Sequence, residues 1–476
     1  MVKLYNTLTR NVDTLKPLDD SRVSIYTCGP TVYNYLTVGN WVAYLRWDTL
    51  IRTLLANDLK PERVMNITDV GHLVSDSDDG EDKLEKGAKR EGKTAWEVAE
   101  FYTADFLSGM DALNLLRPEH LTKATDFIAE QIALVQTLEA KGHTYVIDDG
   151  VYFDTATFPT YAAFAQLNLD ALRAGARVEF NSQKRQPSDF ALWKLTPTGE
   201  NRDMEWDSPW GRGFPGWHVE CSAMAIKTLG DTIDIHTGGI DHIPVHHTNE
   251  IAQSEAATGQ RFANIWLHAN FLTADGTKIS KSLGNGYTLQ DLEEKGFSPM
   301  DFRMFVLQSH YRTESNFTWD NLAAAHNRLS NWRDVAVLRW QLHDTLVNDD
   351  DKDTHSVSGK LLAAPHAALE ALNDDLNTPE ALRAVEEVFS AIQSTKPTHI
   401  QQSSFVSALE FIDEVFGLQL MDSTPDIDED SKMLVIARTR VREEKDWQRS
   451  DELRDELLAR GIVVKDSTSG AIWSWK

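Results

Sequence analysis

Residues 22–55 constrain the fold more than any other stretch of this chain. "RVSIYT" alternates apolar and polar side chains, the pattern of a strand. It runs into Cys28-Gly29-Pro30, where Gly and Pro interrupt regular structure. The apolar run from Trp41 to Leu55 follows and reads as a helix. A strand that turns directly into a helix is the unit from which parallel sheets with helical faces are built. "ERVMNITDVG" gives a second strand followed by a loop. The expectation is an α/β nucleotide-binding core.

At 476 residues the chain is long enough for roughly two to four domains. A hydrophobic content of 41% is enough for well-formed cores. No apolar stretch reaches the length of about 18 residues that a membrane span needs. "MVKLYNTLTRNVDTLKP" has neither an apolar core nor a small-residue cleavage site, so a cytoplasmic protein is expected. The formal net charge of −26 argues against a general nucleic-acid binder. It leaves room for an RNA enzyme with a local basic surface, because an acidic remainder suppresses non-specific binding. The only two cysteines are Cys28 and Cys221, and a disulfide between them is not expected in a cytosolic enzyme.

Further along, 75–93 reads as a charged, mobile stretch, and helices are expected at 94–112 and 123–141. "HTYVIDDGVYFDT" reads as a hairpin turning at Asp149-Gly150. The segment 114–205 therefore looks like an insertion between core halves at 1–113 and 206–270. A loop and stem-contact region is expected at 271–319, a helical bundle at 320–420 and a small terminal region at 421–476. "HDTLVNDDDKDTHSVSGK" reads as a linker. "ARTRVREEKDWQRSDELRDELLARG" reads as one amphipathic helix, followed by a tail with strand-like "GIVVKD" and "AIWSW".

Two motifs carry chemistry. "GTKISKSLGN" holds Lys278, Ser280, Lys281 and Ser282 between Gly276 and Gly284. Taken alone, it is as easily a solvated loop as a phosphate site. "YTCGPTVYNYLTVGN" places Gly39 and Asn40 at the start of a helix, whose dipole favours phosphate. His246 and Glu250 are spaced to share one helix face. From spacing alone, buried thiols and a polar helix face explain Cys28, Cys221, His246 and Glu250 better than a metal does.

The combination of "CGPTVYNYLTVGN", "GWHVECSAMA", "GGIDHIPVHHTNEIAQSEA" and "KISKSLGN" resembles cysteinyl-tRNA synthetase, within the class I aminoacyl-tRNA synthetases. The likeness runs nearly end to end, including "EEKDWQRSDELRDELLARGIVVKDS". It implies a Rossmann-like catalytic core with an insertion, an α-helical bundle and a small C-terminal anticodon-binding region.

The resemblance implies one Zn²⁺ per chain on Cys28, Cys221, His246 and Glu250. All four are acceptable zinc donors. His247 competes with His246, and the one-turn spacing to Glu250 favours His246. Such a zinc would select the sulfur of cysteine over the hydroxyl of serine, so no editing domain is expected. The amino-acid pocket is assigned to Gly29, Thr31, Trp217 and His236. ATP, with Mg²⁺, is assigned to Lys281, Gly39, Asn40, Gly238, Gly239 and Asp241, with Thr31 and Asn34 placed to help. Lys278, Lys281, Thr37 and Asn40 are the catalytic set. The chain departs from the family at Thr37, where the usual residue is His: it reads "TVGN" rather than "HIGN". The implied activity is ligation of cysteine to its tRNA by a monomer. Trp473 and Trp475 are expected to stack on unpaired bases, and Arg and Lys of "ARTRVREEKDWQR" to meet phosphates. A cysteine:amine ligase of the same family and an impaired RNA-binding paralogue are the alternatives.

Overall fold

β1 (Lys3–Asn6) and β2 (Asn11–Thr14) form an antiparallel hairpin. β3 (Val23–Thr27) follows, and every one of its residues is buried, as in a central strand covered on both faces. The structure is a computed structural model that describes residues 1–71, 82–167, 181–197, 199, 202–280, 283–342, 357–394, 400–467 and 470–476. The chain divides into a unit of Met1–Leu289 with Tyr311–Asn316 and a unit of Gln290–His310 with Phe317–Lys476.

In the first unit, α1 (Val38–Leu55) buries Trp41, Leu45, Leu50 and Leu54, the apolar residues of the sequence run. β4 (Pro61–Ile67), α2 (Lys83–Glu91), α3 (Ala95–Ala112), β5 (His120–Lys123) and α4 (Ile128–Ala140) come next. An antiparallel sheet of β6 (Thr144–Ile147), β7 (Gly150–Phe153), β8 (Phe190–Leu195) and β9 (Gly213–Pro215) interrupts the core. The core resumes with α5 (Trp217–Leu229), β10 (Ile233–Gly239), α6 (Thr248–Thr258) and β11 (Ala263–Ala269). The core sheet has the order β11-β10-β3-β4-β5, and its pairings are parallel. The chain leaves β3 on one side for β4 and returns on the other as β10. This reversal opens a crevice at the carboxyl ends of β3 and β10, where open α/β sheets bind ligands. Cys28 follows β3, and Gly238-Gly239 end β10.

Several expectations need correcting. Residues 72–81 lie outside the described chain, but Lys83–Glu91 is helical rather than a loose charged run. Asp82 caps it by accepting from the N–H of Leu84 and of Glu85, and Gly92 ends it at φ 65°. The strand His120–Lys123, which the reading places in the 114–205 insertion, pairs with β4 in the core sheet. The hairpin turns at Asp148-Asp149, because Gly150 pairs with Ile147. A side chain at Gly150 would run into the Trp193 carbonyl, 2.3 Å from its Cβ.

The second unit is helical, and its tail is a hairpin of Ile462–Ser467 and Gly470–Trp475. The helix Thr378–Ser394 buries Leu382, Val385, Phe389 and Ile392, one stripe at helical spacing. The linker expectation falls on 343–356, outside the described residues, and helix Val357–Asn373 begins directly after it. The expected single C-terminal helix is two, Glu429–Glu443 and Trp447–Ala459. Lys445 breaks them at φ 65°, and Asp446 caps the second by accepting from the Arg449 N–H. Trp473 is not a stacking platform: it is 4% exposed and packs in a small core with Leu457, Ile462 and Val464. Trp475 donates its indole N–H to the Pro425 carbonyl at 2.8 Å. Arg438 and Arg442 pair with Asp466. Among the described residues, no helix is long and apolar enough to cross a membrane.

Candidate active site and metal centre

The crevice collects four side chains from three separate segments. Ligand atoms of Cys28, Cys221, His246 and Glu250 all lie within 4.8 Å of one another. Cys28 is fixed at the end of β3 by its N–H, which donates to the Thr237 carbonyl of β10 at 3.2 Å. Cys221 sits in the second turn of α5 and is 1% exposed. His246 lies in the π-helical turn Ile243–His247, which runs into α6 with Glu250. Wide turns of this kind concentrate at functional sites.

The donor chemistry fits a divalent cation. Cys28 donates to Cys221, which, with His246 nearby, lowers the Cys221 thiol to about 6 against the cost of burial. Burial and the Cys221 charge push the Cys28 thiol well up. Burial would lower His246, but Glu250 and Cys221 raise it to about 10. Burial would raise Glu250, but His236 and His246 hold it far below the carboxylate range. A thiolate and a carboxylate thus face one another in a dry site, with His246 beside both and His236 on the carboxylate. His246 Nε2 lies 2.8 Å from Glu250 Oε1, an oxygen with no aligned hydrogen-bond partner among the described residues. An imidazole nitrogen and a carboxylate oxygen at contact distance in a dry site match a pair that a common cation would hold once His246 gives up its proton.

A second set, Cys28, His236, His247 and Glu250, meets the same distance test. In it, His236 Nε2 is already engaged by Glu250 Oε2 at 2.7 Å, and His247 Nε2 stands 3.4 Å from Cys28 Sγ. The set with two thiols is the better zinc donor. The remaining imidazoles orient it. His218 Nδ1 meets His246 Nδ1 at 2.9 Å, and His268 Nε2 meets His247 Nδ1 at 2.7 Å. Burial and neighbouring histidines keep His247 and His268 well below the usual range, and His242 at about 4. Neutral rings are what ligation and its outer partners require.

The expected pocket residues surround this cluster. Trp217 opens α5 and lies 4.5 Å, centroid to centroid, from His246. Gly29 donates its N–H to Asn66 Oδ1 at 2.7 Å, and a Cβ there would sit 1.7 Å from the Asn66 carbonyl. Thr31 bridges to Thr68, whose hydroxyl donates to Glu220 at 3.3 Å. A Cβ on Gly238 would fall 2.6 Å from His247, so only glycine fits. His236, expected on the pocket wall, is 0% exposed and stacks on Trp266 at 4.5 Å. Its geometry makes it the support of Glu250.

The nucleotide side is built differently. α1 begins at Val38, not at Asn40, and Thr37 is its cap. The Thr37 N–H and hydroxyl both donate to Asn40 Oδ1 at 2.9 Å. The backbone donor fixes the amide orientation, so Asn40 Nδ2 turns away from the cap. Ile279 of the downstream loop packs on Gly39, where a Cβ would lie 3.1 Å from Ile279 Cδ1. The Val38 N–H donates to the Tyr287 carbonyl at 2.7 Å. The two motifs, far apart in sequence, are therefore in contact. Lys278 is exposed on the short strand Thr277–Lys278. Lys281 and Ser282 lie outside the described residues. Gly276 and Gly284 are left-handed, at φ 72° and 68°. Asp241 is exposed beyond β10, and its Oδ1 would lie 2.2 Å from a Cβ on Gly239. The sequence reading missed Asn285, which receives the Ser280 N–H and donates to the Lys278 carbonyl. It also missed His218, His242, His268 and Asn66. "SLGN" ends on Asn285, which was the available signal for that residue.

Residues 14–327 match the model described as tRNA synthetases class I (C) catalytic domain. Residues 424–473 match the cysteinyl-tRNA ligase anticodon binding domain, and 369–421 the DALR domain. A cysteine–tRNA ligase of Treponema denticola is 40% identical over 493 residues, covering 99% of this chain and 99% of the relative. The chain belongs to the cysteinyl-tRNA synthetase family. Another family member, cysteine–tRNA ligase 1 of Burkholderia lata, is 44% identical over 98% of this chain and 95% of its own length. The fold is that of a wider class. Methionyl-tRNA synthetase of Mycobacterium tuberculosis, solved with methionyl-adenylate, superposes with a TM-score of 0.58 at 15% identity, covering 84% of this chain and 93% of that one. For this cysteinyl-tRNA synthetase family member, the shared parallel sheet places the crevice between β3 and β10.

Proposed function

We propose that this chain activates cysteine with ATP and esterifies it to the 3′-terminal adenosine of the cysteine tRNA. The observation that carries the reading is the convergence of Cys28, Cys221, His246 and Glu250 beside the contact of Ile279 with Gly39. A zinc ion held by those four side chains, one per chain, would supply a thiophilic Lewis acid for the sulfur of cysteine.

The chain's own residues do the rest. Gly29, Thr31 and Trp217 shape the space beside the cluster, and His236 holds Glu250 in place. The cysteine carboxylate attacks the α-phosphorus of ATP, and pyrophosphate leaves with its Mg²⁺. Catalysis of this kind is positioning and charge stabilisation. Lys278 and Lys281 neutralise the leaving phosphates. Asn40 Nδ2 and the start of α1 at Gly39 face the phosphates, with Thr37 setting the amide. Gly238 and Gly239 let the nucleoside approach β10, and Asp241 accepts from the ribose hydroxyls. The terminal adenosine hydroxyl of the tRNA then attacks the acyl carbon, and AMP leaves. The helical region 320–420 contacts the RNA stem, and 421–476 reads the anticodon. The chain acts as a cytoplasmic monomer.

Charging of deacylated tRNA with labelled cysteine, ATP and Mg²⁺ by zinc-replete protein tests this reading. Acid-precipitable cysteine is expected. Cysteine-dependent ATP–pyrophosphate exchange without charging would replace the reading with the small-amine ligase. Loss of both would point to the impaired paralogue.

A further inference from the structure

Charging requires an unpaired RNA end at the adenylate, and the aromatic residues assigned above, Trp217 and His236, stand on the amino-acid side of the site. The surface beside the first motif has that chemistry. Tyr35, two residues before Thr37, is 42% exposed, and Phe101 of α3 is 43% exposed. Tyr35 stands edge-on to Phe101 at 6.1 Å and to Tyr102 at 5.2 Å. Tyr102 is buried, and its hydroxyl donates to Glu91 at 2.6 Å. Arg90 of α2 reaches the Tyr33 carbonyl and the Tyr102 hydroxyl, each at 3.3 Å. The Tyr35 ring is therefore braced from beneath and has little freedom left to lose when something stacks on it.

The charge around it suits RNA. Lys93 Nζ lies 4.6 Å from the Phe101 ring centre and 3.4 Å from Glu91 Oε2, a surface pair that a phosphate would displace, and Lys86, Lys89 and Lys93 are all exposed. Basic side chains next to exposed aromatic rings stand out in a chain of net charge −26. Rings accept any base by stacking, and ammonium groups meet the intervening phosphates. We infer that Tyr35, Phe101 and Lys93 form a platform for the unpaired 3′ end of the tRNA. A base stacks on Tyr35 and Phe101, and Lys93 meets the phosphate beside it. The inference rests on the tRNA-charging reading above.

Tyr35→Leu is the test, read by charging and by cysteine-dependent ATP–pyrophosphate exchange. The KM for tRNA should rise about tenfold, the scale of one lost base stack. Exchange, which involves no RNA, should stay at the wild-type rate, and Tyr35→Phe should charge normally. Lys93→Glu, at the surface, should raise the same KM and flatten its dependence on salt. Unchanged charging in both variants, or exchange falling in step with charging, would overturn the platform. Wild-type protein that charges while Tyr35→Leu charges equally well refutes this inference alone. Wild-type protein that does neither reaction removes the charging reading and the platform together.

Discussion

The two halves of the crevice are built on opposite plans. Around Cys221, His246 and Glu250, the polar side chains are buried and braced by a second ring of histidines. Around Lys278 and Asn40, the chain is exposed and makes left-handed turns at Gly276 and Gly284. The difference follows from the two tasks. Telling sulfur from oxygen needs fixed ligands in a dry site, because a directed contact rejects a near-isostere that a hydrophobic wall would admit. Meeting a triphosphate that leaves as pyrophosphate needs charges that can follow it. On the proposed reading, specificity sits in the buried half and turnover in the exposed half.

The comparison breaks first at the ligands. Cys221→Ser should abolish stoichiometric zinc and cut cysteine activation by more than about 100-fold, since even outer partners of a metal cost up to that much. Metal analysis and pyrophosphate exchange check it, and near-normal activation in a zinc-free variant would count against the plan. Next is His236→Ala, which strips Glu250 of its 2.7 Å partner without touching a proposed ligand. Zinc affinity should fall about 10- to 100-fold with little change in the KM for ATP. A variant that loses ATP affinity instead would show that the halves are not separate.

Acid should act on the same half. Cys221 is depressed to about 6, so its thiolate is present above that value and lost as pH falls through it. His246 is raised to about 10 and Cys28 is raised as well, so both carry protons near pH 8. Zinc binding at pH 8 should therefore release about two protons, measured by calorimetry in buffers of different ionisation enthalpy. Release of none would contradict the ligand set.

The smallest effect is expected on the exposed side. Thr37→Val removes the hydroxyl that donates to Asn40, costing about 1 kcal/mol of stability. It should raise the KM for ATP while leaving zinc content intact. Thr37→His, which restores the family's usual residue, should raise the activation rate; an unchanged or lower rate would mean that the Thr37–Asn40 arrangement already does that work.

Much of this was legible in the sequence, and the failures have physical causes. The strand before Cys28 and the helix after it follow from local alternation and an apolar run. The pairing of β3 with β10 does not, because it joins residues more than two hundred positions apart and only the sheet order sets the crevice. Lys83–Glu91 was hidden by charge, although Asp82 and Gly92 mark its two ends. Trp473 looked available because it sits near the terminus, yet a two-stranded tail must bury one face, and that face holds Trp473. His236 and His247 were singled out in the sequence, but that they form one ring with His218 and His268 was hidden for the same reason as the crevice. Each histidine alone is unremarkable, and only the packing of α5, β10, β11 and the turn Ile243–His247 gathers them.

Cys28, Cys221, His246 and Glu250 are proposed to hold a zinc that takes the sulfur of the substrate. X-ray absorption at the zinc edge, with and without cysteine, reads that bond. Sulfur neighbours are expected at about 2.3 Å from two side chains, rising to three when cysteine is added and staying at two with serine. A sulfur count that cysteine leaves unchanged, or zinc surrounded by nitrogen from His236 and His247, would contradict it.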